Sequence, residues 1–217
     1  MAHTNKELVR ELREVGYIKT DRIAEAFMTI DRAFFVPEEL QSRAYENVAL
    51  PIGDAQTISQ PLVVAFMLEL LGLQEGNKVL EVGTGSGWKS ALIAFLIKTS
   101  SQTSHSKPLI YSMERIPALS HGARNAIESA APDLLPYITF IEGDGSKGYE
   151  SGAPYDRIIA AAASDHICEA WKNQLMIGGR IVAPIEESIV VVDKKGRDVF
   201  EQREYYGFSF VPLIKGE

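Results

Sequence analysis

Val79-Leu80-Glu81-Val82-Gly83-Thr84-Gly85-Ser86-Gly87-Trp88-Lys89-Ser90, in one-letter form VLEVGTGSGWKS, decides how the rest of the chain is read. A short apolar run closes on an acid and then meets three glycines at alternate positions. Loops of this kind follow strands and open helices, and they hold a dinucleotide, a triphosphate or a nucleoside-sulfonium ligand. A dinucleotide loop needs G-x-G-x-x-G, whose third glycine lets the helix pack on the strand; here Trp88 holds that place. A Walker A loop needs G-x-x-x-x-G-K-[ST], and Gly83…Trp88-Lys89-Ser90 comes close. Tryptophan cannot take the backbone geometry that glycine supplies before the lysine. Lys89 is therefore expected as an exposed helix residue.

Around this loop, short apolar runs at Lys78–Val82, Leu109–Met113, Ile138–Ile141 and Arg157–Ala160 alternate with helical patterns at Gly87–Lys98, Pro117–Ala130 and His166–Gln174. Such alternation predicts an α/β fold, a doubly wound parallel sheet with helices on both faces. Arg180–Pro184, Ile189–Val192 and Gly207–Leu213 are further strand candidates, two of them close enough for an antiparallel hairpin around Glu186-Glu187. Upstream, residues 4–15 read as an amphipathic helix ending near Gly16, Asp21 as the cap of a second helix, and Pro61–Leu71 as a third. Residues 31–61 read as irregular before that third helix. The polar stretch Thr99–Lys107 reads as a surface loop in which His105 is solvated.

Three acids then fall at the carboxyl ends of three successive strands: Glu81, Glu114 and Asp144, the last inside Gly143-Asp144-Gly145. In an open α/β sheet those positions share one crevice lip. The arrangement suits a cationic, ribose-bearing ligand better than a pyrophosphate. S-adenosylmethionine fits, with Glu81 near its positive methionine end, Glu114 on the ribose and Asp144 on the adenine amine.

The 217 residues suit one domain, and 22 Lys+Arg against 29 Asp+Glu leave a net charge of −7, which argues against a nucleic-acid partner. Cys168 is the only cysteine, so no internal disulfide forms. The charged N-terminus lacks the apolar core of a signal peptide, and Glu69 interrupts the longest apolar run, Leu62–Leu73. A cytoplasmic protein with no membrane partner is expected. His121 and His166 lie in helical patterns, and no H-x-x-x-H or C-x-x-C spacing proposes a metal.

A second motif, Ala55-Gln56-Thr57-Ile58-Ser59-Gln60-Pro61, precedes the third helix, and on spacing alone Ser59 could simply cap it. The succession AQTISQP, LEVGTGSG, GDG, APYDRIIAAAA, QLMIGGRIVAP and GFSFVPL, with DRAFFVPEELQSRAYENVALPIG ahead of it, resembles the protein-L-isoaspartate O-methyltransferase family over roughly residues 5–214. The resemblance implies a Rossmann-like class I S-adenosylmethionine-dependent methyltransferase over residues 1–217. Residues 1–72 would form an N-terminal helical, substrate-side segment, and 73–217 the cofactor-binding core with C-terminal antiparallel strands. It implies a monomer that methylates the α-carboxyl of L-isoaspartyl residues in peptides and proteins. It implies Ser59 as the active-site serine, and cofactor contacts from Gln56, Thr57, Ile58, Ser59, Glu81, Gly83, Thr84, Gly85, Ser86, Gly87, Glu114, Asp144 and Gly145. Substrate would meet Ser59 and the segment Val211-Pro212-Leu213.

Three places depart from the family pattern: Trp88-Lys89 after the glycines, Ala161 before the alanines, and Glu186-Glu187 after Pro184-Ile185. The last could redirect the enzyme to another carboxylate acceptor. A non-catalytic module that binds damaged peptides is the remaining reading, and the intact Glu81, Glu114, Asp144 and Ser59 count against it.

Overall fold

The computed structural model describes residues 2–98, 109–214 and 216. The polar stretch Thr99–Lys107, with His105, lies outside the described residues.

Thr4 opens helix α1 (Asn5–Glu14) by accepting from the amide of Glu7, and Leu8, Val9 and Leu12 at helical spacing are its buried face. Helix α2 (Asp21–Thr29) is capped by Thr20, whose hydroxyl accepts from Ile23, so Asp21 is the first helical residue instead of the cap. The segment expected to be irregular contains two short 3₁₀ turns and a hairpin. Strands β1 (Leu50–Gly53) and β2 (Gln56–Ile58) pair antiparallel across Asp54 and Ala55, both at positive φ, 50° and 56°. Two-residue hairpin turns need such angles, but Asn-Gly or Asp-Gly usually supplies them. Asp-Ala next to a strand carrying Pro51 hides the signal. The hairpin delivers Ser59 to the start of helix α3 (Pro61–Leu71), which ends on left-handed Gly72.

The sheet then runs through β3 (Val79–Val82), β4 (Ile110–Glu114), β5 (Ile138–Glu142), β6 (Tyr155–Ala160), β7 (Leu175–Ile185), β8 (Ser188–Gly196) and β9 (Val199–Tyr206), in spatial order β5-β4-β3-β6-β7-β8-β9. β3 to β7 are parallel; β8 and β9 are antiparallel additions. Helices α4 (Trp88–Ile97), α5 (Pro117–Ala130) and α6 (Glu169–Gln174) fill the crossovers. Side chains alternate between two cores: Val182, Ile189 and Val191 pack with α1 to α5, whereas Ile181, Ala183, Val190 and Val192 pack with Trp171 of α6. Among the described residues no helix is long and apolar enough to cross a membrane.

Two C-terminal expectations change. The turn at Glu186-Glu187 joins β7 and β8 as foreseen, but the last strand is Val199–Tyr206 and not Gly207–Leu213. VFEQREYY is exposed over most of its length, as suits a charged edge strand, so it carries no apolar alternation to read. Residues 207–213 instead run beside the loop after β6, where Ala163 and Pro212 form an isolated parallel bridge. His166 likewise falls in the bend before α6, beside Asp165, and not in a helix.

Candidate active site

The chain moves outward from β3 to β4 and β5, then returns to place β6 on the other side of β3. That reversal opens a crevice at the carboxyl ends of β3 and β6, the place where open α/β sheets bind ligands. A cavity of about 360 Å³ lies there, within the range of small-molecule sites.

The glycine loop forms one wall. Gly83 crosses so close to the end of β6 that a Cβ on it would stand 3.1 Å from Cβ of Ala161. Gly87, at φ 85°, begins α4, and a Cβ there would meet the carbonyl oxygen of Ala123 in α5 at 3.0 Å. Gly87→Ala is expected to destabilise the fold by about 2 kcal/mol, from the left-handed backbone and the crowded helix. Urea unfolding measures it, and a loss under about 0.5 kcal/mol would mean that α5 retreats freely. Four of the loop's amides are engaged internally. Gly83 and Thr84 donate to the carbonyl of Met113, Gly85 to Glu114 Oε2, and Gly87 to the carbonyl of Thr84. An anion nest needs such amides free to point at phosphate. The loop therefore suits neither a triphosphate nor a pyrophosphate.

Trp88 does something else. Its ring is buried, its Nε1 donates to the carbonyl of Ile30 at 3.2 Å, and it meets Phe27 edge to face. It fastens α4 to the N-terminal helices.

Glu114 closes β4 as a fixed, nearly buried carboxylate on the cavity wall. Its Oε1 accepts from the amides of Arg115 (2.8 Å) and Ile116 (3.0 Å), and its Oε2 from Gly85 (2.9 Å). Three of its four lone-pair sites are thus taken, and Oε2 keeps one for a ligand hydroxyl. Asp144 sits between Gly143 and Gly145, both cavity-lining, but does not itself line the cavity. Partial burial pushes its pKa up, and donors from Gly216 and Ser146 outweigh this, leaving the carboxyl below its ordinary value.

Glu81 differs from the expectation of a lip residue. It is fully buried beneath the loop, with Oε2 accepting from Ser90 Oγ at 2.5 Å and Ser112 Oγ at 2.7 Å; the Thr84 hydroxyl meets Ser112 in turn. Lys89 corrects the expectation of an exposed helix residue. It is 9% exposed, and its Nζ faces Glu81 Oε1 at 3.7 Å. Burial pushes the Glu81 carboxyl up and the Lys89 ammonium down, each opposed by the other's charge. Hydroxyl donors converging on Oε2 favour the ionised carboxylate.

The opposite wall is the hairpin exit. Gln56, Thr57 and Ser59 line the main cavity. Ile58 is buried and, with Thr84 and Ser86, borders a smaller recess beside it. Ser59 does not cap α3, whose N-cap is Gln60 without a side-chain bond. Arg32, unremarked in the sequence, holds this wall. Its guanidinium is fully buried and donates to the carbonyls of Ala44, Glu46, Val48 and Ser59. Val211, Pro212 and Leu213 form the third wall, tied down by the Ala163 amide donating to Val211 O and the Leu213 amide donating to Ala163 O. The altered turn sits behind it: the amide of Glu186 donates to Ser164 O, and Glu187 O accepts from Gly207 and Phe208.

One cavity thus joins a fixed carboxylate and a glycine loop whose amides are mostly spent to a serine and an extended C-terminal segment. Residues 3–217 match the sequence family described as Protein-L-isoaspartate(D-aspartate) O-methyltransferase. A protein-L-isoaspartate O-methyltransferase of Ignicoccus hospitalis is 42% identical over 221 residues, covering 100% of both chains. One from Halorhodospira halophila is 45% identical over 219 residues, covering 98% of this chain and 92% of its own. A Plasmodium falciparum protein assigned to the same activity, crystallised with S-adenosyl-L-homocysteine, superposes with a TM-score of 0.87 at 22% identity, covering 99% of this chain and 100% of that one. The chain belongs to the protein-L-isoaspartate(D-aspartate) O-methyltransferase family.

Proposed function

We infer that this chain methylates the α-carboxyl of L-isoaspartyl residues in damaged peptides and proteins, with Ser59 orienting the acceptor. The observation that carries the roles is the shared cavity, in which Ser59 and Val211–Leu213 face the glycine loop and Glu114. S-adenosylmethionine supplies an activated methyl group on a sulfonium. The protein's part is placement. The acceptor carboxyl, with an ordinary pKa of about 3–4, is already ionised at neutral pH, so no wall residue has to take a proton. Holding acceptor and donor in line can supply about 7–11 kcal/mol of the barrier. In this reading Glu114 takes a ribose hydroxyl, Val211–Leu213 lie along the peptide, and the 143–145 loop takes the adenine. Glu81 acts from beneath the loop, through Ser90 and Ser112. The neighbouring backbone nitrogen then displaces methanol from the ester to close a succinimide, whose hydrolysis returns part of the material to aspartate. A single domain working as a cytoplasmic monomer, without nucleic acid, completes the proposal. Its support is the net charge of −7 and a hydrophobic core that runs from Leu8 to Val191.

The test is methyl transfer from labelled S-adenosylmethionine to an isoaspartyl peptide beside its matched aspartyl peptide. Transfer to the isoaspartyl peptide alone is expected. Transfer to neither, with S-adenosylhomocysteine still bound, would move the acceptor to another carboxylate and point to the Glu186-Glu187 turn. Asp144→Ala releases Ser146 and Gly216 together and is expected to raise the S-adenosylhomocysteine Kd about 10-fold. Calorimetry reads it, and an unchanged Kd would remove Asp144 from the adenine site.

A further inference from the structure

The recess beside the main cavity, about 40 Å³, lies between the two motifs and is lined by Thr57, Ser59, Gly83, Gly85 and Lys89 among others. It has room for a group larger than one water. Lys89 lies on α4, a helix buried over nearly its whole length and otherwise free of charge. An ammonium carries three donors and is costly to bury unless they are matched. Its only carboxylate neighbour among the described residues stands at 3.7 Å, beyond ordinary hydrogen-bond length, and that oxygen, Glu81 Oε1, is buried without a hydrogen-bond partner. Glu81 is meanwhile held from its other oxygen by two serines. The pair is thus loosely closed on itself and borders open space next to the active-site serine.

We propose that Lys89 is a cofactor-binding residue whose ammonium takes the carboxylate at the amino-acid end of S-adenosylmethionine. This rests on the cofactor site proposed above. The charge arithmetic supports it. A lone lysine here would repel the sulfonium and the ammonium of the same ligand. Glu81 cancels that repulsion at long range while leaving Lys89 donors for a carboxylate that reaches the recess. Four glycine-loop amides, those of Gly83, Thr84, Gly85 and Gly87, are already bonded within the protein and do not compete with Lys89 for that carboxylate.

Two ligands separate this role from a structural one. S-adenosylhomocysteine carries the amino-acid end; 5′-methylthioadenosine has the same adenosine and sulfur without it. Calorimetry on Lys89→Met and on the double variant Glu81→Gln/Lys89→Met, which leaves no unpaired buried charge, is expected to show a Kd for S-adenosylhomocysteine raised about 10-fold, with 5′-methylthioadenosine changed less than about 2-fold. Equal losses for both ligands, or no loss for either, would overturn the proposal. Failure of the unaltered protein to bind either ligand would instead overturn the cofactor site itself.

Discussion

Arg32→Gln is expected to cost about 3–5 kcal/mol of folding stability, a large share of the roughly 5–15 kcal/mol a typical domain has. The guanidinium is fully buried and bonded to four carbonyls, with distances of 2.7 Å to Ala44, 3.3 Å to Glu46, 3.0 Å to Val48 and 3.2 Å to Ser59. It also lies 5.4 Å from the Trp88 ring centre, which offers a cation its negative face. Burial pushes its pKa down to about 10, with Glu46 opposing, so it stays charged at neutral pH. Ala44, Glu46, Val48 and Ser59 flank the β1–β2 ladder without belonging to it, and their carbonyls share this one fork instead. Glutamine is shorter and offers two N–H groups for four acceptors, leaving buried carbonyls unpaired. Lysine keeps the charge but loses the planar fork, so Arg32→Lys is expected to recover less than half of the loss. Urea unfolding should show a midpoint lower by roughly 1–3 M for the glutamine variant. A shift below about 0.5 M would mean that water replaces the fork without penalty. Turnover should fall as well, because the carbonyl of Ser59 is one of the four acceptors.

Arg32 marks the boundary of what the sequence makes legible. Four of the parallel strands, β3 to β6, could be foreseen because each is a short apolar run between turn residues, and β7 only over Arg180–Pro184. Helices α3 and α5 begin where expected because Pro61 and Pro117 suit a first helical turn. Once parallel strands are granted, their carboxyl ends align, so Glu114 and the 143–145 loop had to share a lip with the glycine loop. Other features are hidden in the sequence. Arg32 binds carbonyls 12 to 27 residues away, with no spacing to read. Lys89 looked like a surface residue of a helix start, but Glu81, one strand end earlier, draws it inward. The β1–β2 turn uses Asp54-Ala55 at positive φ, which composition does not announce. Edge strand β9, solvated on both faces, has no apolar period. For Arg32 and Lys89 a tertiary contact overrides the local preference, whereas the β1–β2 turn and β9 carry no local signal.

Ser59→Ala should lower kcat about 100-fold while leaving stability and S-adenosylhomocysteine affinity nearly unchanged. The hydroxyl is not spent on the fold: α3 is capped at Gln60 without a side-chain bond, and it is the Ser59 carbonyl, not its side chain, that Arg32 holds. Removing Oγ therefore breaks neither the cap nor the wall. What it removes is the hydroxyl of a residue lining the cavity where hairpin, glycine loop and C-terminal segment converge. With an acceptor already ionised and a methyl donor already activated, orientation is the main service left for the protein, and its loss belongs in kcat rather than in KM for the cofactor. Single-turnover kinetics with the isoaspartyl peptide, beside calorimetry with S-adenosylhomocysteine, separates the terms. A fall in kcat under about 3-fold would show that the walls alone align the acceptor. A comparable loss of S-adenosylhomocysteine affinity would place Ser59 on the cofactor side of the cavity, and the acceptor would then need another hydroxyl, with Thr57 on the same strand exit as the next candidate.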